Sequence, residues 1–346
     1  MQVTNEFFPS HLFRCTFEEG SHSPIVVSPH DNIDLIDWAQ NNQTLLAKAI
    51  DTYGAIVFSG FNLIKDNFSK TFEAITGFKP QAYKGDVPRD EVSSRVYKST
   101  AVANSHTIGL HQEVSGGNRE DMPKYISFFC VSPPKRGTGQ TLVGNVHDVT
   151  TKIKTLLPNL WQKLLETNLT YTSRYLPRTG WRAKLISWLN PSHATILKRF
   201  GTEDKFEIEA QCKKQGLTCS WDGDWLVVTR KGIPGTITVN GETLFCNQIH
   251  HDKLSPKLCG GWLKYILARI LLYPTFRHLQ FDVQFDDGQQ ISPKDASAIY
   301  SILQESQEGR SWKKGDLMIL NNLTTMHAKT KHIGEREIIV AMGGRI

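Results

Sequence analysis

A mainly β protein, built as a sandwich or barrel, is the fold class this sequence predicts, and three observations predict it. Short β-rich runs recur along the chain, separated by turn signals. Helical periodicity is confined to a few stretches. Strands and helices do not alternate in the regular order of a parallel βαβ sheet.

Taken in order, residues 32–52 predict a helix, because Ile36, Trp38, Leu45, Leu46 and Ile50 recur at helical spacing. The apolar run from Gly54 to Phe61, bracketed by glycines, predicts a buried strand. A helix over 66–76 ends at Gly77. Tyr125 to Cys130 and Thr141 to Gly144 predict strands, joined by a loop carrying Pro133, Pro134, Gly137 and Gly139. Residues 146–166 predict helix broken at Pro158. Residues 177–200, with Pro177, Gly180 and Pro191, predict a helical insertion, and a second lies around 253–280. Within the latter, Leu263 to Tyr273 is apolar but interrupted by Lys264 and Arg269, which predicts an amphipathic helix packed on the core. Runs starting at Trp225, Gly235 and Thr243 predict strands. Residues 293–306 predict a helix, and strands from Asp316 and Glu337 close the chain.

A length of 346 residues suits one large β domain or two ordinary ones, and the expectation is a single domain over 1–346. The net charge of +6 is scattered; pairs such as Lys213-Lys214 are too short for a nucleic-acid stripe, so no nucleic-acid partner is expected. The six cysteines form no C-x-x-C pair and a chain of this size needs no disulfide staples, which fits a reducing cytosol. The segment Met1 to His11 lacks a basic region followed by an apolar run, so no signal peptide is expected. No run approaches the roughly 18 apolar residues of a membrane span. The expectation is a cytoplasmic protein with no membrane partner. No Gly-rich phosphate loop and no G-x-S-x-G elbow occurs.

The chemistry-bearing feature is His111-Gln112-Glu113, followed far downstream by His327 and Arg336. Two imidazoles and a carboxylate on one face of an iron leave three coordination positions for a co-substrate and O₂. On an extended segment the i, i+2 spacing turns His111 and Glu113 the same way. With 12 His and 34 acidic residues, about one H-x-[DE] arises by chance, and a second, His250-His251-Asp252, is present. Asn247 and Gln248, next to it, either contact an amino-acid substrate or tie down a loop. Arg174 either holds a substrate carboxylate or makes a structural ion pair, and Thr100 is a candidate lining residue.

The ordered set Gly54, Gly60-Phe61, Leu110-His111-Gln-Glu113, Gly139-Gln-Thr141, Gly315-Asp316, Asn322-Leu323, His327 and Gly334-Glu-Arg336 resembles the TauD/TfdA-like iron/2-oxoglutarate oxygenases. Within that family the pattern is most similar to the syringomycin hydroxylase-like (clavaminate synthase-like) branch, through Pro88-Arg89, Val96-Tyr97, Arg199-Phe200 and Phe245-Cys-Asn247-Gln248. The resemblance runs from about residue 30 to the C-terminus. It implies a double-stranded β-helix (jelly roll) with flanking and inserted helices. It implies Fe(II) held by His111, Glu113 and His327, with 2-oxoglutarate held by Arg336 and Thr141, and O₂ as oxidant. A guanidinium fork matching a carboxylate agrees with that role. The implied reaction is hydroxylation of a C–H bond in an amino acid or derivative, free or tethered to a peptidyl carrier protein, in natural-product biosynthesis. A desaturase or cyclase on the same iron chemistry is the enzyme alternative. A catalytically silent binding module on the same barrel is the other, and the intact triad with Arg336 and Thr141 speaks against it. The chain departs from the family at Asn321, at Ala328-Lys329 after the distal His, at Ser59, and at Gln112 and Val114 around the first ligands.

Overall fold

The computed structural model describes residues 6–18, 20–84, 89–99, 107–135, 137–190, 193–273 and 279–345. In chain order its first strands are β1 (Phe13–Thr16), β2 (Ile25–Pro29), β3 (Ala55–Phe58), β4 (Glu91–Ser93), β5 (Val96–Lys98), β6 (Ile108–His111), β7 (Pro123–Ser132) and β8 (Thr141–Asn145). They are followed by β9 (Leu169–Tyr175), β10 (Thr218–Asp222), β11 (Trp225–Ile233), β12 (Thr236–Val239), β13 (Glu242–Phe245) and β14 (Phe281–Phe285). The last are β15 (Glu308–Arg310), β16 (Leu317–Asn321), β17 (Thr325–Lys329) and β18 (Glu337–Arg345). The chain divides into two compact units. One contains residues 1–151, 237–245 and 303–346; the other contains 152–236 and 246–302.

The first unit carries the double-stranded β-helix. Its large sheet has the order β1-β2-β3-β16-β7-β18-β5-β4, and its small sheet the order β15-β8-β17-β6. The strands of these two sheets pair antiparallel except β2 with β3. The middle of the large sheet is apolar on both faces, which explains why its strands read as continuous hydrophobic runs. Alternate residues of β16 divide between two cores. Leu317 and Ile319 join Phe58, Phe129, Ile339 and the helices Leu35–Asn41, Gln43–Tyr53 and Phe68–Thr76. Met318 and Leu320 face the other way, with Phe128, Val340 and Val143 of the small sheet. The helical layer therefore backs one face of the large sheet and the small sheet covers the other.

Local chemistry sets the element ends. The stretch predicted as one helix over 32–52 is two. Asp34 caps the first by accepting from the Ile36 and Asp37 amides, and the backbone leaves helical geometry at Asn42 (φ −129°, ψ 23°) before the second begins. Helical periodicity continues across that break, so the sequence carries no Gly or Pro to mark it. Pro158 starts a new helix, Pro158–Glu166, after Val146–Leu156.

The second unit holds a four-stranded sheet, β10-β11-β9-β14. Residues 177–200 carry the helices Trp181–Leu189 and Ile196–Phe200, and residues 253–280 carry Pro256–Cys259, Trp262–Leu267 and a π-helical turn over 268–272. The latter segment departs from expectation. Leu263, Ile266, Leu267, Ile270 and Leu271 are exposed, and it is Ala268 and Tyr273 that reach a buried cluster. Apolar residues cover too wide an arc of this segment for one packing face to bury them all. Lys253, 2% exposed, pairs with Asp282 at 2.9 Å. All six cysteines are free thiols. Among the described residues no helix is long and apolar enough to cross a membrane.

Gly144 lies in β8 between β15 and β17, where a Cβ would stand 2.5 Å from Leu110 Cδ1 and 2.9 Å from the Ser306 carbonyl oxygen. Gly144→Ala is expected to destabilise the protein by about 1–3 kcal/mol, the usual cost of overpacking. The urea unfolding midpoint measures it; an unchanged midpoint would show that the strand has room to shift.

Candidate metal centre

Strand register brings the two imidazoles together. β6 ends at His111, and His111 stands opposite His327 on β17. Their ring centroids are 4.3 Å apart. The chain then turns sharply at Val114, a non-glycine residue at φ 64°. Asn322 fixes the segment in between. Its Oδ1 accepts from the Glu113 amide at 2.8 Å, and its Nδ2 donates to the Glu113 and Pro123 carbonyls at 3.1 and 3.0 Å. Gln112 donates instead to the Leu323 carbonyl at 2.9 Å.

Glu113 Oε2 consequently lies 3.5 Å from His327 Nε2 and 4.0 Å from His111 Nε2. His111, Glu113 and His327 form a group whose ligand atoms all lie within 4.8 Å of one another, and among the described residues it is the one such cluster of three or more. The donors suit a divalent iron. His111 Nδ1 is 3.0 Å from the Gly109 carbonyl, which can only accept, so Nδ1 carries the proton and the Nε2 lone pair faces the group. The competing His250-His251-Asp252 lies in the short helix Ile249–Asp252, where the two ring centroids are 4.2 Å apart at a tilt of 45°, and it is not part of any such cluster of three among the described residues.

The carboxylate is buried and charged. Burial by itself would raise the Glu113 carboxyl; the Arg89 guanidinium and the neighbouring His327 and His111 outweigh it and hold the group well below the ordinary carboxylate range. Arg89 Nη2 meets Glu113 Oε2 at 2.8 Å, Nη1 donates to the Ser99 carbonyl at 3.1 Å, and the guanidinium lies 4.7 Å over the Tyr83 ring. Arg89 is a site residue that sequence reasoning used only as part of a family pattern. Nothing local marks it, because its partner lies 24 residues away.

Beside the triad lies an anion-seeking group. Arg336, immediately before β18, donates through Nε to the Gly139 carbonyl at 3.0 Å, through Nη1 to Ser99 Oγ at 3.1 Å and through Nη2 to Thr141 Oγ1 at 3.4 Å. Gly139 permits this approach: it sits at φ 62°, and a Cβ would come 2.7 Å from Pro134 and His332. Among the described residues no carboxylate pairs with Arg336, and burial pushes its guanidinium down to about 10. Thr141 Oγ1 also accepts from Trp312 Nε1 at 3.3 Å, so with two donors on its oxygen the hydroxyl proton is left to point at a ligand. Lys329 is buried, and burial together with the Arg336 charge pushes its ammonium down to about 8. One cavity is lined by His111, His327, Arg89, Thr141, Lys329 and Arg336.

Of the expected substrate residues, Arg174, Asn247 and Gln248 belong to the second unit. Thr100 lies outside the described residues. Arg174, on β9 of the second unit, has a buried Nη1 with no hydrogen-bond partner among the described residues, and burial lowers its guanidinium from the ordinary value. Asn247, fully buried in the second unit, donates to the Gly235 carbonyl at 2.9 Å and accepts from the Ile249 amide at 3.2 Å. The Gln248 amide donates to the Tyr171 hydroxyl at 3.0 Å.

The family model for the taurine catabolism dioxygenase TauD, TfdA family matches residues 20–216. The chain belongs to this family and is an Fe(II)/2-oxoglutarate-dependent dioxygenase. That match includes His111, Glu113 and Thr141; His327 and Arg336 lie beyond it and are brought alongside by β17 and β18. A clavaminate synthase-like protein of Arabidopsis thaliana is 24% identical over 301 residues, covering 84% of this chain and 81% of its own length. The dapdiamide synthesis protein DdaC of Enterobacter agglomerans is 22% identical over 294 residues, with 84% and 82% coverage. Among solved structures, PvcB of Pseudomonas aeruginosa aligns over 99% of this chain and 94% of its own at a TM-score of 0.51 and 10% identity, which shows the shared fold.

Arg89→Ala would leave Glu113 buried without its counter-ion, a loss of about 3–5 kcal/mol in the metal-free protein. Thermal unfolding with and without Zn(II) checks this. The metal should raise the melting temperature more in the variant than in the wild type, because it restores the missing positive charge.

Proposed function

We propose that His111, Glu113 and His327 hold Fe(II), that Arg336 and Thr141 bind the distal carboxylate of 2-oxoglutarate, and that the enzyme hydroxylates a C–H bond of an amino acid or amino-acid derivative in natural-product biosynthesis. The observation that carries the reading is the convergence of two imidazole nitrogens and one carboxylate oxygen, with both imidazoles lining a cavity that Arg336 also lines. Both compact units are taken as one oxygenase domain, supported by a family match that runs from the first unit into the second. The natural-product setting is supported by the likeness to DdaC, a protein named for dapdiamide synthesis.

Iron bound with 2-oxoglutarate and O₂ supplies the oxidising power for C–H cleavage, with succinate and CO₂ as by-products. The chain's own residues do the rest. The two imidazoles and Glu113 present their donors from one side, which leaves the opposite side for the co-substrate and O₂. Arg336 offers a planar fork, and Thr141 adds one hydroxyl donor. Ile108, Phe128 and Ala328 line the same cavity with apolar surface, which limits water there. Arg174, whose buried Nη1 has no hydrogen-bond partner among the described residues, is the candidate for a substrate carboxylate.

His111→Ala, Glu113→Ala and His327→Ala should each abolish tight Fe(II) binding, whereas His250→Ala should retain it. Anaerobic titration calorimetry distinguishes them, and the reverse pattern would move the centre to the second motif. Arg336→Lys keeps the charge but loses the fork, so 2-oxoglutarate should bind more weakly by about 1.5–3 kcal/mol, with a smaller effect in Thr141→Val. The charge-transfer absorption of the anaerobic ternary complex reads both affinities. Incubation with a panel of amino acids should give a product heavier by one oxygen, dependent on iron and 2-oxoglutarate. In Arg174→Gln that product should fall while both metal and co-substrate binding persist. If no amino acid or derivative gains oxygen while succinate still forms, the substrate class is wrong.

A further inference from the structure

The helix Trp181–Leu189 is apolar on two opposite sides. At 3.6 residues per turn, Ala183 and Ile186 share one side, and Trp181, Leu185 and Trp188 share the other. The first side joins a small core with Leu176, Tyr273 and Leu279. The second is open: Trp181 is 70% exposed and Trp188 77%. The helical segment 262–272 rests on the same small core through Ala268 and, just beyond its end, Tyr273. Its outward residues recur every four positions in two adjoining rows, Trp262, Ile266 and Ile270 beside Leu263, Leu267 and Leu271, and all six are exposed. Singly exposed apolar residues are ordinary; contiguous rows of them mark an interaction surface.

Charge indicates what covers these rows. No acid occurs between residues 177 and 202 or between residues 253 and 281, whereas Arg182, Lys184, Lys257, Lys264 and Arg269 do. The three lysines are exposed. A second copy of the chain, docked on the same face, would set these cations against themselves. A protein partner would ask for hydrogen-bonding groups at the centre of the contact, and the two rows of segment 262–272 are all hydrocarbon but for one indole N–H. Tryptophan among aliphatic side chains, with basic residues and no acid, is the composition of helices that lie in a membrane interface. We infer that the helix Trp181–Leu189 and the segment 262–272 form a docking surface for an anionic lipid bilayer. The outward rows enter the boundary of the acyl chains, the indoles sit at headgroup level, and the lysines reach lipid phosphates. A helix lying in the interface need not be long enough to span the bilayer.

The test is co-sedimentation of the full chain with vesicles of phosphatidylcholine alone and of an equimolar phosphatidylcholine–phosphatidylglycerol mixture. The wild type should bind the mixed vesicles at least about tenfold more tightly, and lose that preference as ionic strength rises. Trp188→Ser with Leu263→Ser should weaken binding by at least about tenfold, and so should Lys184→Gln with Lys264→Gln. Lys213→Gln with Lys214→Gln, a pair on the helix Lys205–Lys214, should change it by less than about threefold. An unchanged melting temperature shows that each variant is folded; should Trp188→Ser with Leu263→Ser fail this, Ile270→Ser is judged by the same outcomes. No binding to mixed vesicles, equal binding to both kinds, equal losses in the two lysine pairs, or binding that survives the apolar substitutions overturns the inference. A chain that ignores vesicles but forms a dimer dispersed by Trp188→Ser with Leu263→Ser gives the face to a second copy. One that ignores vesicles but binds poly-L-glutamate gives it to an acidic protein. Both results overturn the inference as well.

Discussion

The pairing of β6 with β17 is the constraint on which the site depends. It sets His111 opposite His327, so two imidazoles from segments 216 residues apart in numbering face one another across a single strand spacing. A slip of one residue would turn one imidazole to the opposite face of the small sheet. Asn322 extends that control to the third donor by binding the backbone on both sides of Glu113. The small sheet is in turn held against the large one through Val143, Phe128 and Val340.

Charge balance is the second constraint. Glu113 is 4% exposed yet ionised, and Arg89 makes that tolerable before any metal binds. A metal ion would then compete with the guanidinium for the same carboxylate oxygen. Farther along the cavity stand Arg336 and Lys329, and among the described residues no carboxylate pairs with Arg336.

Much of this was legible in the sequence. The apolar runs at Ala55, Tyr125, Thr141 and Leu317 became strands because β-rich apolar segments bounded by turns have few alternatives. His111, Glu113 and His327 stood out by residue type and spacing, and folding brings them together. Arg89 and Asn322 were not legible in these roles, because their partners are fixed by tertiary pairing rather than local pattern. The break at Asn42 was hidden by continuous helical periodicity. The exposed face of 263–271 was hidden for the opposite reason: a pattern of apolar residues tells which could be buried, not which are covered.

The central claim is that one iron is held by these three side chains together. An anaerobic crystal structure of the full chain with Fe(II) and 2-oxoglutarate, read by iron anomalous scattering, tests it most directly. The account predicts a single anomalous peak within bonding distance of His111 Nε2, His327 Nε2 and a Glu113 oxygen, with the distal carboxylate of 2-oxoglutarate on Arg336. A peak at His250 and Asp252, or iron bound without Glu113, would contradict it.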